Sequence, residues 1–242
     1  MHLINQSIKK MDKSVEILAE IAGLSIEKSL QALVERFPGE IIFSTSFGWE
    51  DQVISHIIFT NKLDIKVFTL ETGRLFPETY YVWNRTIERY GVAIKAYYPH
   101  TEQVEKMVSE KGPSSFYESV ANRKECCGIR KIEPLKRALA GNSLWITGIR
   151  AEQSPNREDM HAVEWDAANG LHKFHPIFNW TLKEVKDYIK TYNIPYNPLH
   201  DKGFPSIGCA PCTRAVNEGE DFRAGRWWWE DQDKKECGLH SS

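Results

Sequence analysis

Short apolar runs alternate with amphipathic segments along most of the chain. Between residues 26 and 37 the apolar side chains recur at helical spacing, Ser25 precedes them as a cap, and Pro38-Gly39 is expected to end the helix. Residues 41–43 form a short apolar run that predicts a buried strand. Helical spacing resumes over residues 53–58. This part of the chain therefore predicts a helix, a strand and a second helix.

The strand-then-helix unit recurs further along the sequence. Residues 67–70, 93–98 and 144–147 predict three more strands. Pro77 suits the first turn of a helix, and Thr181 with Glu184 forms a capping box for a late helix. This alternation predicts an α/β fold with a parallel twisted sheet and helices on both faces.

Polar loops follow three of the predicted strands, at residues 44–51, 71–74 and 148–154. In open parallel sheets, ligands bind beyond the carboxyl ends of the strands. We therefore expect the functional site to be built from these loops.

Composition places the chain among globular proteins. Its 242 residues, 41% hydrophobic and 26% charged, suffice for one sizeable core without a linker or internal repeat. We expect an N-terminal helical extension (1–25), a main domain (26–222) and a functional tail (223–242). With 31 Lys and Arg against 33 Asp and Glu, no bulk positive charge indicates nucleic-acid binding. No apolar leader or membrane-length apolar run is visible, so we expect a cytoplasmic protein without membrane contact.

Four of the five cysteines fall into two pairs, Cys126-Cys127 and Cys209-x-x-Cys212. Four thiolates suit an iron–sulfur cluster or a structural zinc ion, particularly in a reducing compartment. Adjacent cysteines converge poorly on one ion, whereas a cubane cluster offers separate iron atoms to neighbouring thiolates. The sequence favours a cluster over zinc, and over two buried cysteines followed by a simple turn.

The fifth cysteine, Cys237, lies near the C-terminus with His240 three residues on. A thiol becomes nucleophilic as the thiolate, which nearby cations stabilise. An isolated late cysteine would ordinarily be an accidental feature of a frayed end. The preceding residues 223–230 contain Arg223, Arg226 and three tryptophans, which suits anion binding and adenine stacking better than a plain tail, with one of the tryptophans in the core.

The loop at residues 44–51 offers backbone N–H groups and hydroxyls to a phosphate at the start of a helix. It contains neither a Walker loop nor a dinucleotide fingerprint, and a glycine-containing turn with Ser and Asp caps is the simpler alternative. Glu50 and Asp51 would repel phosphate, so we expect them to contact ribose hydroxyls, a metal or the helix N-terminus.

These segments together resemble assimilatory adenylyl-sulfate (APS) reductases of the PAPS/APS reductase family, over roughly residues 40–240. The motifs that carry the resemblance are Ser46-Phe47-Gly48 with Glu50-Asp51, Thr72-Gly73-Arg74-Leu75-Phe76-Pro77, Cys126-Cys127 with Arg130-Lys131, residues 148–157, Cys209-x-x-Cys212, residues 223–230 and Cys237-Gly238-Leu239-His240. Trp49 and Glu71 depart from the family pattern, in which a small residue and Asp are common. Both lie in nucleotide loops, so they bear on pocket shape.

The resemblance implies a fold similar to ATP pyrophosphatases (adenine nucleotide alpha hydrolase-like), a 4Fe-4S cluster on the four paired cysteines, and thioredoxin or a glutaredoxin-like thiol donor as partner. The implied reaction, part of sulfate assimilation and cysteine biosynthesis, reduces APS to sulfite and AMP through an S-sulfonated Cys237. The residues expected in catalysis are Cys237, His240 and Lys131. The residues expected to bind substrate are Ser44, Ser46, Phe47, Gly48, Glu50, Asp51, Thr72, Gly73, Arg74, Arg150, Arg223, Arg226 and Trp227.

Two alternatives remain open at the level of sequence. A phosphoadenylyl-sulfate (PAPS) reductase would share Cys237 but typically does without the four cluster cysteines. A zinc-stabilised ATP pyrophosphatase or nucleotide-binding module would carry a double glycine where this chain has Phe47-Gly48. On the favoured interpretation, residues 234–242 must be mobile, because Cys237 meets first the nucleotide and then thioredoxin.

Overall fold

A computed structural model describes residues 13–153 and 160–230, and its centre is a six-stranded sheet. The strands are β1 (Ile41–Ser44), β2 (Lys66–Leu70), β3 (Lys95–Tyr97), β4 (Leu144–Ile146), β5 (Val163–Asp166) and β6 (Leu171–Phe174). Their order across the sheet is β3-β2-β1-β4-β6-β5. All neighbours pair in parallel except β5, which is antiparallel to β6. The predicted α/β fold is therefore confirmed.

Helices connect the strands and cover the sheet. They are α1 (13–21), α2 (Ile26–Arg36), α3 (Trp49–Thr60), α4 (Pro77–Tyr90), α5 (Thr101–Lys111), α6 (Val120–Cys127), α7 (Glu133–Leu139) and α8 (Leu182–Thr191). A π-helical turn, Gly128–Ile132, joins α6 to α7. Within the described residues, no helix has the length and apolar character needed to cross a membrane.

The predicted helix signals act where the sequence places them. The Ser25 side chain accepts a hydrogen bond from the backbone N–H of Lys28 at the start of α2. Pro77 is the first residue of α4. Thr181 and Glu184 form the complete capping box at the start of α8. These local rules fix helix entry independently of tertiary packing.

The core lies on both faces of the sheet because successive strand residues point in opposite directions. Phe43 of β1 packs in a large cluster with Val53 of α3 and Val185 of α8. Its neighbour Ile42 packs on the other face with Leu135 of α7. Helix α1, in which the sequence shows no motif, also contributes the buried side chains of Ile17 and Ile21 to the larger cluster. The predicted boundary at residue 25 stays a prediction.

The order of the strands creates a switch point beside β1. The chain moves from β1 to β2 and β3 on one side, and then returns to place β4 on the other side of β1. The loops after β1 and β4 therefore diverge and leave a crevice above the strand ends. All three predicted polar loops, after β1, β2 and β4, contribute residues to this crevice.

Candidate active site

A cavity of about 320 Å³ occupies the carboxyl ends of β1, β2 and β4. Among the residues predicted to bind substrate or act in catalysis, those that line it are Ser44, Ser46, Gly48, Glu50, Asp51, Thr72, Lys131, Arg223 and Arg226. Loops from distant parts of the sequence thus meet at the place that the strand pattern predicts.

The loop after β1 is held in shape by its own hydrogen bonds. Asp51 Oδ2 accepts bonds from the backbone N–H and the hydroxyl of Ser46, both at 2.6 Å. Phe47 has a φ of 61°, a left-handed conformation that is costly for a bulky residue, and its fully buried ring stacks on Trp83 at 5.3 Å. Gly48 precedes α3 without a side-chain cap. The first N–H groups of α3 therefore remain available to an anion.

Asp51 is a buried carboxyl in the wall of the cavity. Burial raises its pKa to about 6, although the two hydrogen bonds from Ser46 act in the opposite direction. Gly148, after β4, lies so close that a Cβ at this position would overlap Asp51 Oδ1. Glycine at residue 148 is thus required by the close approach of the first and third loops.

Arg150 forms an ion pair with Glu50, which lines the cavity. Its guanidinium is 2.8 Å from Glu50 Oε1 and 2.7 Å from Glu152 Oε2, and its side chain is 1% exposed. Glu50 lines the cavity, whereas Arg150 does not. Arg150 therefore orients Glu50, and its predicted contact with substrate oxygens stays a prediction.

Arg226 contributes a positive charge to the wall of the larger cavity. Its side chain is buried, its Nε has no hydrogen-bond partner, and its guanidinium lies 4.8 Å from the Trp227 ring centre. A Cβ at residue 208 would overlap this guanidinium, so Gly208 provides the space that Arg226 occupies. A buried cation with unused donor capacity favours an anionic ligand.

All four paired cysteines line a second, smaller cavity of about 20 Å³. Thr72 Oγ1 forms a hydrogen bond with Cys209 Sγ at 3.3 Å. The cations that share this lining are Arg74, Arg123, Arg130, Lys131 and Arg226. Two of them, Lys131 and Arg226, also line the larger cavity, so the two cavities adjoin through shared basic side chains.

The local fold explains how Cys126 and Cys127 reach this position. Both end α6, whose N-terminus is capped by Ser119, and the π-helical turn begins at the next residue. A π turn widens the helix and often marks a functional position. It directs Arg130 toward the backbone of Thr72, whose carbonyl accepts a 2.6 Å hydrogen bond from Arg130 Nη1.

The donor set is compatible with a 4Fe-4S cluster, because four cysteine thiols line one cavity. Among the described residues, no three His, Cys, Asp or Glu side chains converge closely enough to hold one metal ion. A cubane binds each thiolate at a separate corner, so its ligands need not converge. The surrounding cations suit a group of net negative charge. A cluster bound by four thiolates would carry such a charge.

The cysteine pKa values show how this environment treats the thiols. Burial raises the pKa of Cys212 to about 12, with the neighbouring Cys209 adding to the effect. Burial also acts on Cys209, but Lys131, the Thr72 hydrogen bond and other cations outweigh it and lower its pKa. The protein alone therefore does not stabilise all four as thiolates, and a bound metal group would supply the missing positive charge.

Several predicted residues lie outside the larger cavity. Phe47 points into the core, while Gly73 forms the turn in which its N–H donates to Glu71 Oε1 at 2.6 Å. Arg74 donates to the Pro113 carbonyl beside the cysteines, and Trp227 is the buried tryptophan of its run. Cys237, His240 and the predicted mobile segment 234–242 lie outside the described residues.

His200 is a cavity residue that the sequence reasoning missed. Its Nδ1 lies 2.7 Å from the Phe204 carbonyl, and its ring stacks at 3.8 Å on Trp49. Burial is the main cause that lowers its pKa to about 4, so the imidazole is neutral at pH 7. Trp49, which departs from the family pattern, therefore shapes this wall from behind. An isolated histidine in an irregular segment carries no periodic signal that could have revealed it.

Comparison with known proteins gives consistent relatives. The model of the phosphoadenosine phosphosulfate reductase domain family matches residues 40–215. An adenosine 5'-phosphosulfate reductase of Allochromatium vinosum is 54% identical over 200 residues, covering 83% of this chain and 78% of its own. One from Sinorhizobium fredii is 47% identical over 238 residues, covering 98% and 94%.

Solved structures show the same architecture. A phosphoadenylyl-sulfate reductase from Candida auris in a phosphate complex has a TM-score of 0.70 at 28% identity, covering 84% of this chain and 96% of its own. An FMN adenylyltransferase from Candida glabrata has a TM-score of 0.53 at 17% identity, covering 90% and 68%, and shares the fold alone.

Proposed function

The chain belongs to the phosphoadenosine phosphosulfate reductase domain family, and we propose that it reduces adenosine 5'-phosphosulfate (APS) to sulfite and AMP. It is accordingly an oxidoreductase that acts on a sulfur group. One observation carries the proposal: a nucleotide-sized cavity and a four-cysteine cavity adjoin through Lys131 and Arg226. The relatives that are about half identical over most of the chain bear the name of this activity.

Substrate binding follows from the polarity of the larger cavity. The uncapped N-terminus of α3 and the hydroxyls of Ser44 and Ser46 suit the phosphate, while the carboxylate of Glu50 suits ribose hydroxyls. Arg226 and Lys131 suit the sulfate. These cations reduce the repulsion between an anionic substrate and an attacking thiolate.

Cys126, Cys127, Cys209 and Cys212 would hold the 4Fe-4S cluster. When bound, the cluster would join the two cysteine pairs and so fix Lys131 and Arg226, which lie between it and the nucleotide. Its contribution on this view is structural and electrostatic.

Cys237 supplies the nucleophile. Its thiolate attacks the APS sulfur, a sulfur–sulfur bond forms, and the bond from sulfur to the bridging oxygen breaks. AMP leaves with the electron pair of that bond, and Cys237 carries a sulfonate. His240, three residues on, would help to hold the tail over the cavity during this step.

An external dithiol completes the reaction. A thiolate of thioredoxin, or of a glutaredoxin-like donor, attacks the sulfur of Cys237 and displaces sulfite. The second thiol of the donor then resolves the mixed disulfide, so the donor leaves oxidised and Cys237 returns as a thiol. Cys209 and Cys212 cannot take this part while they hold a cluster.

The decisive assay compares APS with its 3'-phosphorylated analogue PAPS, with thioredoxin as donor. We expect a higher kcat/KM with APS. Equal or higher kcat/KM with PAPS would move the protein to the neighbouring specificity class and leave the Cys237 chemistry intact. Absence of sulfite release from both compounds would reject the proposed function.

A further inference from the structure

A buried ion pair connects the cysteine-bearing helix α6 to Glu230, the last described residue of the C-terminal tail. Arg123 donates from Nε to Glu230 Oε1 at 2.9 Å and from Nη2 to Glu230 Oε2 at 2.7 Å. The two side chains are only 2% and 3% exposed. The Arg123 guanidinium also lies over the Trp227 ring, 4.8 Å from its centre.

The pair fixes both position and orientation. Two parallel hydrogen bonds between a guanidinium and a carboxylate define a plane, which a single contact does not. Burial protects these bonds from water and salt, unlike the exposed pair Arg85–Glu88, whose side chains are 56% and 62% exposed. A buried ion pair often adds little stability compared with apolar residues of similar size. The Arg123–Glu230 pair therefore matters here for the position and orientation that it fixes.

The segment that ends at Glu230 is held at several points. Thr213 and Arg226 form an isolated antiparallel bridge, and the N–H of Trp227 donates to the Cys212 carbonyl at 3.2 Å. Trp227 itself has a φ of 43°, a left-handed conformation that is uncommon for a bulky residue. Arg226, in the same segment, lines the substrate cavity. Among the residues that the structure describes, Glu230 is thus the last anchor of a segment that contacts both cavities.

Cys237 follows Glu230 by seven positions. Seven residues span at most about 25 Å, so the anchor determines the region that the thiol can reach. Without the ion pair to Arg123, Glu230 would no longer be fixed, and the Cys237 thiol could reach a larger region. The thiol would then meet the substrate sulfur less often in the geometry needed for attack.

We propose that Arg123 and Glu230 are positioning residues that hold the base of the tail so that Cys237 meets the sulfur of bound APS. This inference rests on the proposed function. It gives α6 a second role, because the helix that carries Cys126 and Cys127 also anchors the reactive tail.

The test removes the directional pair without leaving an unpaired buried charge. Arg123→Met with Glu230→Met replaces both side chains by apolar ones, and Arg85→Met with Glu88→Met applies the same change to the exposed pair. Each enzyme is mixed with APS without thiol donor, and the single-turnover rate of AMP release is measured. Iron content and AMP affinity are measured on the same samples.

We expect the Arg123/Glu230 double variant to release AMP roughly 10- to 100-fold more slowly per iron-loaded enzyme, with AMP affinity retained. Because Arg123 also lines the four-cysteine cavity, the rate is normalised to the iron content of each sample. The Arg85/Glu88 variant should match the wild type. Wild-type rates in the buried-pair variant would overturn the inference, because the pair would then serve only to compensate charge.

A second variant keeps the inference testable if the double variant loses iron or fails to fold. Glu230→Gln keeps the shape and one acceptor oxygen, so it should slow AMP release less than the double change, and a normal rate would overturn the inference. The proposed function fails separately: a wild-type enzyme that releases no AMP from APS would reject it, whatever these variants do.

Discussion

At the scale of single residues, the site depends on charged groups whose surroundings constrain them strongly. Arg226 is buried with unused donor capacity, and the space beside it exists only because residue 208 has no side chain. Asp51 is buried and raised in pKa, yet it accepts two hydrogen bonds that shape the phosphate loop. Small changes at such positions should therefore alter binding more than stability.

Gly208→Ala is expected to weaken APS binding about 10- to 100-fold, because the added methyl group displaces the Arg226 guanidinium from its charge-assisted contacts with the anion. Calorimetric titration of APS into protein that also carries Cys237→Ser measures the affinity without turnover. Arg226→Ala is the matched control. If Gly208→Ala weakened binding equally in that background, the effect would not act through Arg226.

The raised pKa of Asp51 predicts that both APS binding and stability depend on pH. Since its pKa lies near 6 in the folded protein, APS binding to the Cys237→Ser protein should weaken as the pH falls through about 6, when protonation disturbs the hydrogen bonds from Ser46. The stability effect has the opposite sign. A raised folded pKa adds stability below the ordinary value of 3.8, and that contribution is lost as the pH rises through about 6.

Asp51→Asn is the control for both effects, because the amide does not titrate. We expect a flat APS affinity between pH 5 and 7 in this variant, measured beside the Asp51 protein. A wild-type affinity that is equally flat over this range would contradict the assigned role of the carboxylate.

Residue roles were predicted from the sequence where the chemistry was local. The two cysteine pairs, the loop at residues 44–51 and Arg226 all line the cavities that the motifs indicate. Arg150 and Phe47 differ, because one bonds to Glu50 and the other packs on Trp83. A motif shows that a residue type is needed, but only tertiary contacts decide whether its side chain faces the ligand or supports a neighbour.

At the scale of elements, α6 ends at Cys126 and Cys127, which line one cavity together with Cys209 and Cys212. Replacing Cys127 by Ser should remove iron and activity together, because three thiolates and a hydroxyl hold a cubane poorly. Iron and sulfide analysis checks this, with Cys237→Ser as the control that keeps iron and loses turnover. A Cys127→Ser protein without iron but with wild-type turnover would show that the cluster is dispensable.

We expect the exposed aromatic side chains Trp228 and Tyr117 to contact the reductant. Trp228 and Tyr117 are 39% and 41% exposed, and their ring centres are 6.2 Å apart. We expect Trp228→Ala to raise the KM for thioredoxin roughly tenfold, since apolar aromatic anchors dominate such contacts. AMP release from APS and reduction by dithiothreitol should not change. Tyr81→Ala, which removes an aromatic ring exposed elsewhere, is the control.

Elements with strong periodicity were predicted correctly, and those without it were not. The strands over 41–43, 67–70, 93–98 and 144–147 correspond to β1 to β4, with boundaries shifted by one to two residues. The hairpin of β5 and β6 was missed because its residues combine buried charge with aromatic side chains. Lys173 on β6 is 1% exposed and lies 3.0 Å from Asp166 on β5, a pairing that no hydrophobic pattern reveals.

At the scale of the whole molecule, the fold brings together segments that are more than a hundred residues apart. Residues near 44, 72, 131 and 226 all line one cavity because the strand order reverses beside β1. The sequence predicts this place from alternation alone. It does not predict that α6 contacts the base of the tail, since that pairing of Arg123 with Glu230 arises only when both ends of the fold pack.

The attack of Cys237 on the sulfur of APS should leave a covalent intermediate. Mass spectrometry of wild-type protein mixed with APS, without any thiol donor, detects that intermediate. We predict one sulfonate adduct on the peptide that contains Cys237, released by thioredoxin as sulfite, and none in Cys237→Ser, which still binds APS. An adduct on Cys209 or Cys212, or no adduct while AMP is released, would contradict the account.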